Sequence, residues 1–150
     1  MANFVFNIAK GRAVELYNRV DTNDPGTSRI LIIPLETSGL ETQANLEDSL
    51  TLAEVLDGTT NEQTTMGRKN FDDTTLAAFT NDTTNNRNDL DTPDITWTGA
   101  TGNAISALVF AYDPATSADT AIIPISHHDF VVTPDGSDIT AQVNVFFRAS

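Results

Sequence analysis

Eight basic residues against 21 acidic ones in a chain of 150 give a formal charge of −13, which disfavours contact with nucleic-acid phosphates and with anionic membrane surfaces. The absence of cysteine excludes disulfides, thiolate zinc sites and a cysteine nucleophile. With 39% hydrophobic residues, the length fits one domain built on one core.

The opening MANFVFNIAKGR holds an apolar run too short for a signal sequence and no basic stretch before it. No segment approaches the roughly 18 apolar residues of a membrane span, so no membrane partner is expected. Asn3–Ile8 alternates, with Phe4, Phe6 and Ile8 on one face of an expected strand. The following GRAVELYNRV is ambiguous. Val14, Leu16, Asn18 and Val20 fit a strand period, while Ala13, Leu16, Tyr17 and Val20 fit a helical one. Its neighbours read as strands, and a strand is the expectation here too.

Asp24-Pro25-Gly26 marks a turn. It leads into RILIIPLE, 29–36, an apolar strand containing Pro34. A proline has no amide hydrogen, so this strand should lie at an edge or carry a bulge. The pattern returns in AIIPIS, 121–126, with Pro124. One helix is expected at about Leu52–Asp57. Thr51 and Glu54 fit a capping box, Leu50 and Val55 a hydrophobic staple, and Gly58 a stop. A longer version from Asn45 would bury Leu46, Leu50, Ala53 and Leu56.

Residues 59–94 are rich in threonine, asparagine and aspartate and read as an irregular surface excursion, with a turn of helix within Asp72–Phe79. A strand ending near Trp97 then meets a glycine-bearing turn, and Ala104–Tyr112 forms a strongly apolar strand. The last two strands, about 121–133 and 138–147, should pair as a hairpin through Pro134-Asp135-Gly136-Ser137. The expected fold is therefore mainly β, a β-sandwich or barrel-like arrangement with one or two short helices. Residues 1–150 form a single domain on this reading.

The only two histidines sit in Ser126-His127-His128-Asp129. Successive side chains on a strand point to opposite faces, so His127 and His128 diverge and would not share one metal ion. His127 and Asp129 share a face and can form a hydrogen-bonded pair. No G-x-S-x-G elbow accompanies Ser126. Asp21 to Gly26 opens like a calcium loop but places Pro25 at the fifth position and Ile32 at the twelfth. Gly99 to Asn103 lacks the lysine of a phosphate loop. Trp97 reads as core or interface packing, with a ligand platform as the alternative. No reaction is specified, and no catalytic residue, metal or cofactor is assigned.

The strings FNIAKGRAVELYNRV, DLDTPDITWTGATGNAISALVFAYDP and IIPISHHDFVVTPDGSDITAQVNVFFRAS resemble a family of small virion structural proteins of tailed bacteriophages. The resemblance spans most of the chain and is closest at its two ends. It implies a non-enzymatic role on the virion, foremost as a capsid decoration or cement protein on the outer head surface, made in the host cytoplasm. The implied partners are the major capsid protein and further copies of the chain, with a trimer favoured. A tail or head–tail connector component, or a host-surface-binding module using Trp97 and the 59–94 loops, are the alternatives. Charge adds a candidate interface. Residues 1–20 hold three basic residues against Glu15, a net +2, while the remainder holds five against twenty, a net −15. Phe4, Phe6, Lys10 and Arg12 are the candidate partner-contact residues, set against the simpler reading that this segment is core.

Overall fold

The computed structural model describes residues 1–79 and 81–150. The chain runs through β1 (Phe4–Val5), a 3-10 turn (Asn7–Ala9), α1 (Ala13–Asp21), β2 (Arg29–Glu36), α2 (Gln43–Leu46) and α3 (Leu52–Val55). It continues as β3 (Lys69–Phe71), β4 (Asn81–Asp82), β5 (Arg87–Leu90), β6 (Ile95–Trp97), β7 (Ile105–Asp113), β8 (Ile123–Val132), β9 (Ile139–Ala141) and β10 (Phe147–Ala149). The mainly β expectation is met, with few and short helices. The central sheet has the order β1-β8-β7-β2-β3, and smaller sheets pair β10-β5-β4 and β6-β9. All pairings are antiparallel.

The spine is the pair β2–β7, in register from Arg29 opposite Asp113 to Leu35 opposite Ala107, with a shift before Glu36 opposite Ile105. Both strands are buried on both faces, which is why they read as nearly continuous apolar runs rather than alternating ones. Ile30, Ile32, Leu108, Phe110 and Tyr112 enter one core with α1, β6 and β9. Leu31, Ile33, Leu35, Ala107, Val109 and Ala111 enter a second core with Phe4, Phe6, α2 and α3. The sheet is thus the middle of three layers. Irregularities adjust this alternation. One, between Ile105 and Ala107, lets both odd-numbered residues lie in different cores.

The prolines sit where the ladder permits them. Pro34 pairs with Leu108 on β7, while β3 on its other side stops opposite Ile32. The Pro34 carbonyl accepts from the Gln63 amide at 2.9 Å, so Pro34 faces a loop rather than a strand. Pro124 lies at the β7–β8 irregularity beside Ala111, beyond the reach of β1. Both placements satisfy the edge-or-bulge rule.

Four sequence expectations are corrected. First, Ala13–Asp21 is helix, not strand. Its helical face, Ala13, Leu16, Tyr17 and Val20, is the buried one, because a whole stripe then reaches the sheet. Second, the strand expected over Asn3–Ile8 is confined to Phe4–Val5 before the chain turns into the 3-10 segment. Third, the cap forms without the staple, and the Glu54 carboxylate takes the Leu50 amide in place of the Thr51 amide of a full capping box. Thr51 Oγ1 accepts from the Glu54 amide at 3.3 Å and Glu54 Oε2 from the Leu50 amide at 2.6 Å. Leu50 itself is 54% exposed. The helix ends at Val55, and α2 is separate from it, so the longer helix with Leu50 buried does not form.

Fourth, the chain end is not one strand. β9 pairs with β6, Trp97 opposite Ile139, and not with β8. Pro134–Ser137 therefore connects two sheets instead of closing a hairpin. β10 pairs with β5. The 59–94 stretch supplies β3, β4 and β5 and buries Leu76 and Leu90 in the first core. At Asp72 the expected turn of helix is a single turn, with the Leu76 amide donating to the Asp72 carbonyl at 2.8 Å. The Asp72 carboxylate caps it by accepting from the amides of Thr74 and Thr75, both at 3.1 Å.

One ion pair closes the spine. Asp113 is fully buried and bonds Arg29 at 2.8 Å across the β2–β7 ladder. Burial alone would raise this carboxyl. The amides of Ser117 and Ala115 together with Arg29 outweigh burial and hold it below the ordinary range. Asp113→Ala should destabilise the fold by about 3 kcal/mol, since it leaves buried donors and the Arg29 charge unmatched. Chemical denaturation read against the parent checks this. The C-terminal segment is tied down by Phe146, which is 5% exposed and stacks on Phe110 with centroids 4.7 Å apart. Phe146→Ala should cost about 3–5 kcal/mol. Thermal melting within a degree or two of the parent would show that this anchor carries no such load.

Candidate functional site

The irregularity at Phe110/Ala111 decides the geometry of the histidine segment. Phe110 pairs with Ser126 and Ala111 with Pro124, leaving Ile125 as the extra residue. Ser126 and His128 consequently lie on the face of Phe110, and His127 lies on the face of Phe4 and Val109. The two imidazoles project to opposite sides of the sheet, as the strand period anticipates.

His127 is fully buried and stacks on Phe4 with centroids 4.6 Å apart and planes 11° from parallel. Neither ring nitrogen has a hydrogen-bond partner among the described residues. Burial without a partner disfavours the charged ring and lowers its pKa to about 4. The anticipated His127–Asp129 pair is not formed. Asp129 is exposed and instead meets the amino group of Met1 at 3.3 Å.

His128 is half-buried, edge-on to Phe110, with Nε2 2.9 Å from Ser126 Oγ. Burial lowers its pKa, opposed by the Phe146 carbonyl and the Asp129 charge. A hydroxyl beside a neutral imidazole has the outline of a nucleophile and base. Here Ser126 is 1% exposed, so its hydroxyl serves as the internal partner of the ring. A cleft of about 180 Å³ borders His128, between β8 and the 141–146 segment, floored by Leu108 and Phe110 and rimmed by Asn3, Asp129 and Gln142. That volume holds little more than one large side chain and is below the 300–1,000 Å³ usual for ligand pockets.

The other singled-out residues are placed as follows. Phe4 and Phe6 are buried in the second core, where the simpler reading of this segment puts them. Lys10 and Arg12 are exposed. Lys10 donates to the Asn7 side chain, and neither cation has a carboxylate at ion-pair distance among the described residues. Trp97 is 2% exposed and donates through its indole nitrogen to the Gly67 carbonyl at 3.0 Å, which removes it as a ligand platform. Asp21 of the calcium-like loop accepts from the Phe79 amide at 3.1 Å. Among the described residues no three histidine or carboxylate side chains converge as a metal site requires. Gly102, at φ +112°, packs against the buried Gln63 amide, which a Cβ would meet at 2.5 Å. Its turn is a packing joint.

Sequence reasoning missed the networks that use the remaining polar groups. Arg68 bridges Glu62 at 2.6 Å and Asp119 at 2.7 Å, and Asp89 lies between Arg87 at 3.1 Å and Arg148 at 2.6 Å. These partners come from distant segments and carry no local signal. Comparison of the chain with family models, with curated proteins and with solved structures returned no match.

Because Ser126 is the sole hydrogen-bond partner of His128 Nε2 among the described side chains, Ser126→Ala should destabilise by about 1–2 kcal/mol. Ser126→Thr, which keeps the hydroxyl, should recover part of that loss. Equal stability of the parent and the alanine variant in urea would show that the contact contributes nothing.

Proposed function

We propose that this chain is a non-enzymatic structural protein of a tailed-phage virion, acting as a decoration protein on the outer surface of the head. The observation that carries the proposal is the resemblance of its opening, middle and closing strings to small phage virion proteins. The placement of the chemistry-bearing side chains agrees with it. His127 is sealed in a core, Ser126 and His128 satisfy each other, and Asp113 and Arg68 act as internal cross-links. A protein of this class needs only a stable body and a contact surface. Several copies bound together gain avidity from many modest contacts, and the assembled shell is stabilised by mass action because the bound state is the closed one. The major capsid protein is the proposed partner, and a trimer the proposed form.

Between the alternatives, a tail or connector role asks for the same surface properties. The host-binding alternative loses its aromatic platform with Trp97 buried. Within the proposed interface, Lys10 and Arg12 remain the contact candidates, as exposed cations at the start of α1 on a chain of charge −13. Their role would be orientation and on-rate rather than bulk affinity.

The test is co-sedimentation with undecorated heads, followed by microscopy of the complex. Saturable binding at symmetry-related sites and a raised thermal midpoint of the heads are expected. The double change Lys10→Glu and Arg12→Glu should leave the melting temperature of the free protein unchanged and weaken head binding, more at low salt than at moderate salt. Absence of co-sedimentation for the parent protein overturns the decoration reading. Unchanged occupancy of the double variant at both salt concentrations removes these two cations from the contact.

A further inference from the structure

β1 is a two-residue strand held at the edge of the central sheet by pairing of Phe4 with His127 and Val5 with Ser126. One further backbone bond follows, from the Phe6 amide to the Ile125 carbonyl at 3.0 Å. The Phe4 ring lies flat on the His127 ring. That imidazole has no exposed surface and no acceptor for a second proton. A buried polar group without a partner is costly and calls for an explanation. Phenylalanine or leucine would fill the same space without that cost.

We propose that His127 is an acid-sensitive latch for the N-terminal strand, which is docked on β8 while the ring is neutral and released when it is protonated. Release exposes the outer edge of β8 around Ile125–His127. The charged groups around the ring do not prevent this. On β8, His128 points to the other face and Asp129 is drawn to the Met1 amino group that precedes β1. On β7 the facing residues Leu108, Val109 and Phe110 are apolar. On the α2–α3 layer, Glu47 and Asp48 engage the turn after β1, both at Asn7, Glu47 through its carbonyl and Asp48 through its side chain. No acceptor reaches either His127 nitrogen among the described residues.

The direction follows from linkage. The docked ring titrates at about 4, below the 6.5 of a free imidazole, so the released state binds more protons between these values. Docking is at full strength above about pH 6.5 and weakens as the pH falls towards 4. Between pH 7 and pH 5 the equilibrium constant for release should rise about twenty-fold.

Hydrogen exchange of the intact chain, corrected for the intrinsic pH dependence of amide exchange, tests this. Protection of the Phe6 amide should fall about twenty-fold from pH 7 to pH 5, while the amides of Ile33 and Val109 in the spine keep theirs. In His127→Phe the Phe6 protection should be independent of pH over this range. A fall of the same size in the variant, or no fall in the parent, overturns the latch. So does a loss shared by the spine amides, which would mean general unfolding. If the variant does not fold, nitrogen-15 titration of the parent's His127 ring decides instead. A midpoint near 6.5 while Phe6 stays protected overturns the proposal, and a midpoint well below 5 together with a fall of Phe6 protection between pH 7 and pH 5 supports it.

Discussion

The pairing of β2 with β7 is the constraint on which the rest depends. These strands have no solvent face, so each turn of the pleat must meet apolar side chains above and below. The two cores exist because the pair needs two covers. α1 with the small sheets supplies one, and Phe4, Phe6, α2 and α3 the other. The irregular positions are consequences of the same demand. Where the alternation on β7 and β8 would send a side chain to the wrong layer, the register shifts and restores the match. The residue types that suggested chemistry were drawn into this arrangement, and the geometry of the histidine segment is set by a bulge.

Electrostatics follows a complementary logic. Arg19, Arg29, Arg68, Arg87 and Arg148 are all bonded to carboxylates of the chain itself. Most of the positive charge therefore stitches segments together, and most of the surface charge left over is negative. Arg68 shows the principle best. Its planar fork holds one carboxylate from the loop before β3 and another from the loop before β8, a geometry that lysine does not reproduce. Exposed pairs such as Arg19 with Glu15 add little. The half-buried ones fix loops that would otherwise move independently of the sheet.

Much of the frame is legible in the residues. RILIIPLE and ISALVFAY announce doubly buried strands by their apolar character, and each proline lies beyond the reach of the flanking strand, β3 for Pro34 and β1 for Pro124. Thr51 and Glu54 announce a helix start through local hydrogen bonds that need no tertiary context. The misses have equally definite causes. GRAVELYNRV fits two periods, and only the sheet it packs on selects the helical one. Pro134–Ser137 has the composition of a hairpin turn, yet Ile139 finds Trp97 rather than β8, because pairing depends on which strand is already in place. Leu50 fits a staple by spacing, but its amide is bonded to Glu54 and its side chain is turned to solvent. At the candidate site, the opposite projection of the two histidines could be read from the strand period. The stacking of His127 on Phe4 and the bond between Ser126 and His128 required the register with β1 and β7.

The placement of β2 and β7 in the sequence also governs how the chain finds its fold. Arg29 and Asp113 meet across 84 residues, so the spine closes only after most of the chain has been made. Topologies dominated by such distant contacts fold on the slow side, in milliseconds to seconds. During that interval RILIIPLE and ISALVFAY are bare, uncharged apart from their ends, and able to pair with the same segments of neighbouring chains. Pro34 and Pro124 interrupt the amide rows that such pairing would use, and the strong negative charge keeps nascent copies apart. The features that look like concessions in the finished sheet act earlier, as safeguards for a protein whose central contact joins residues 84 apart in the chain.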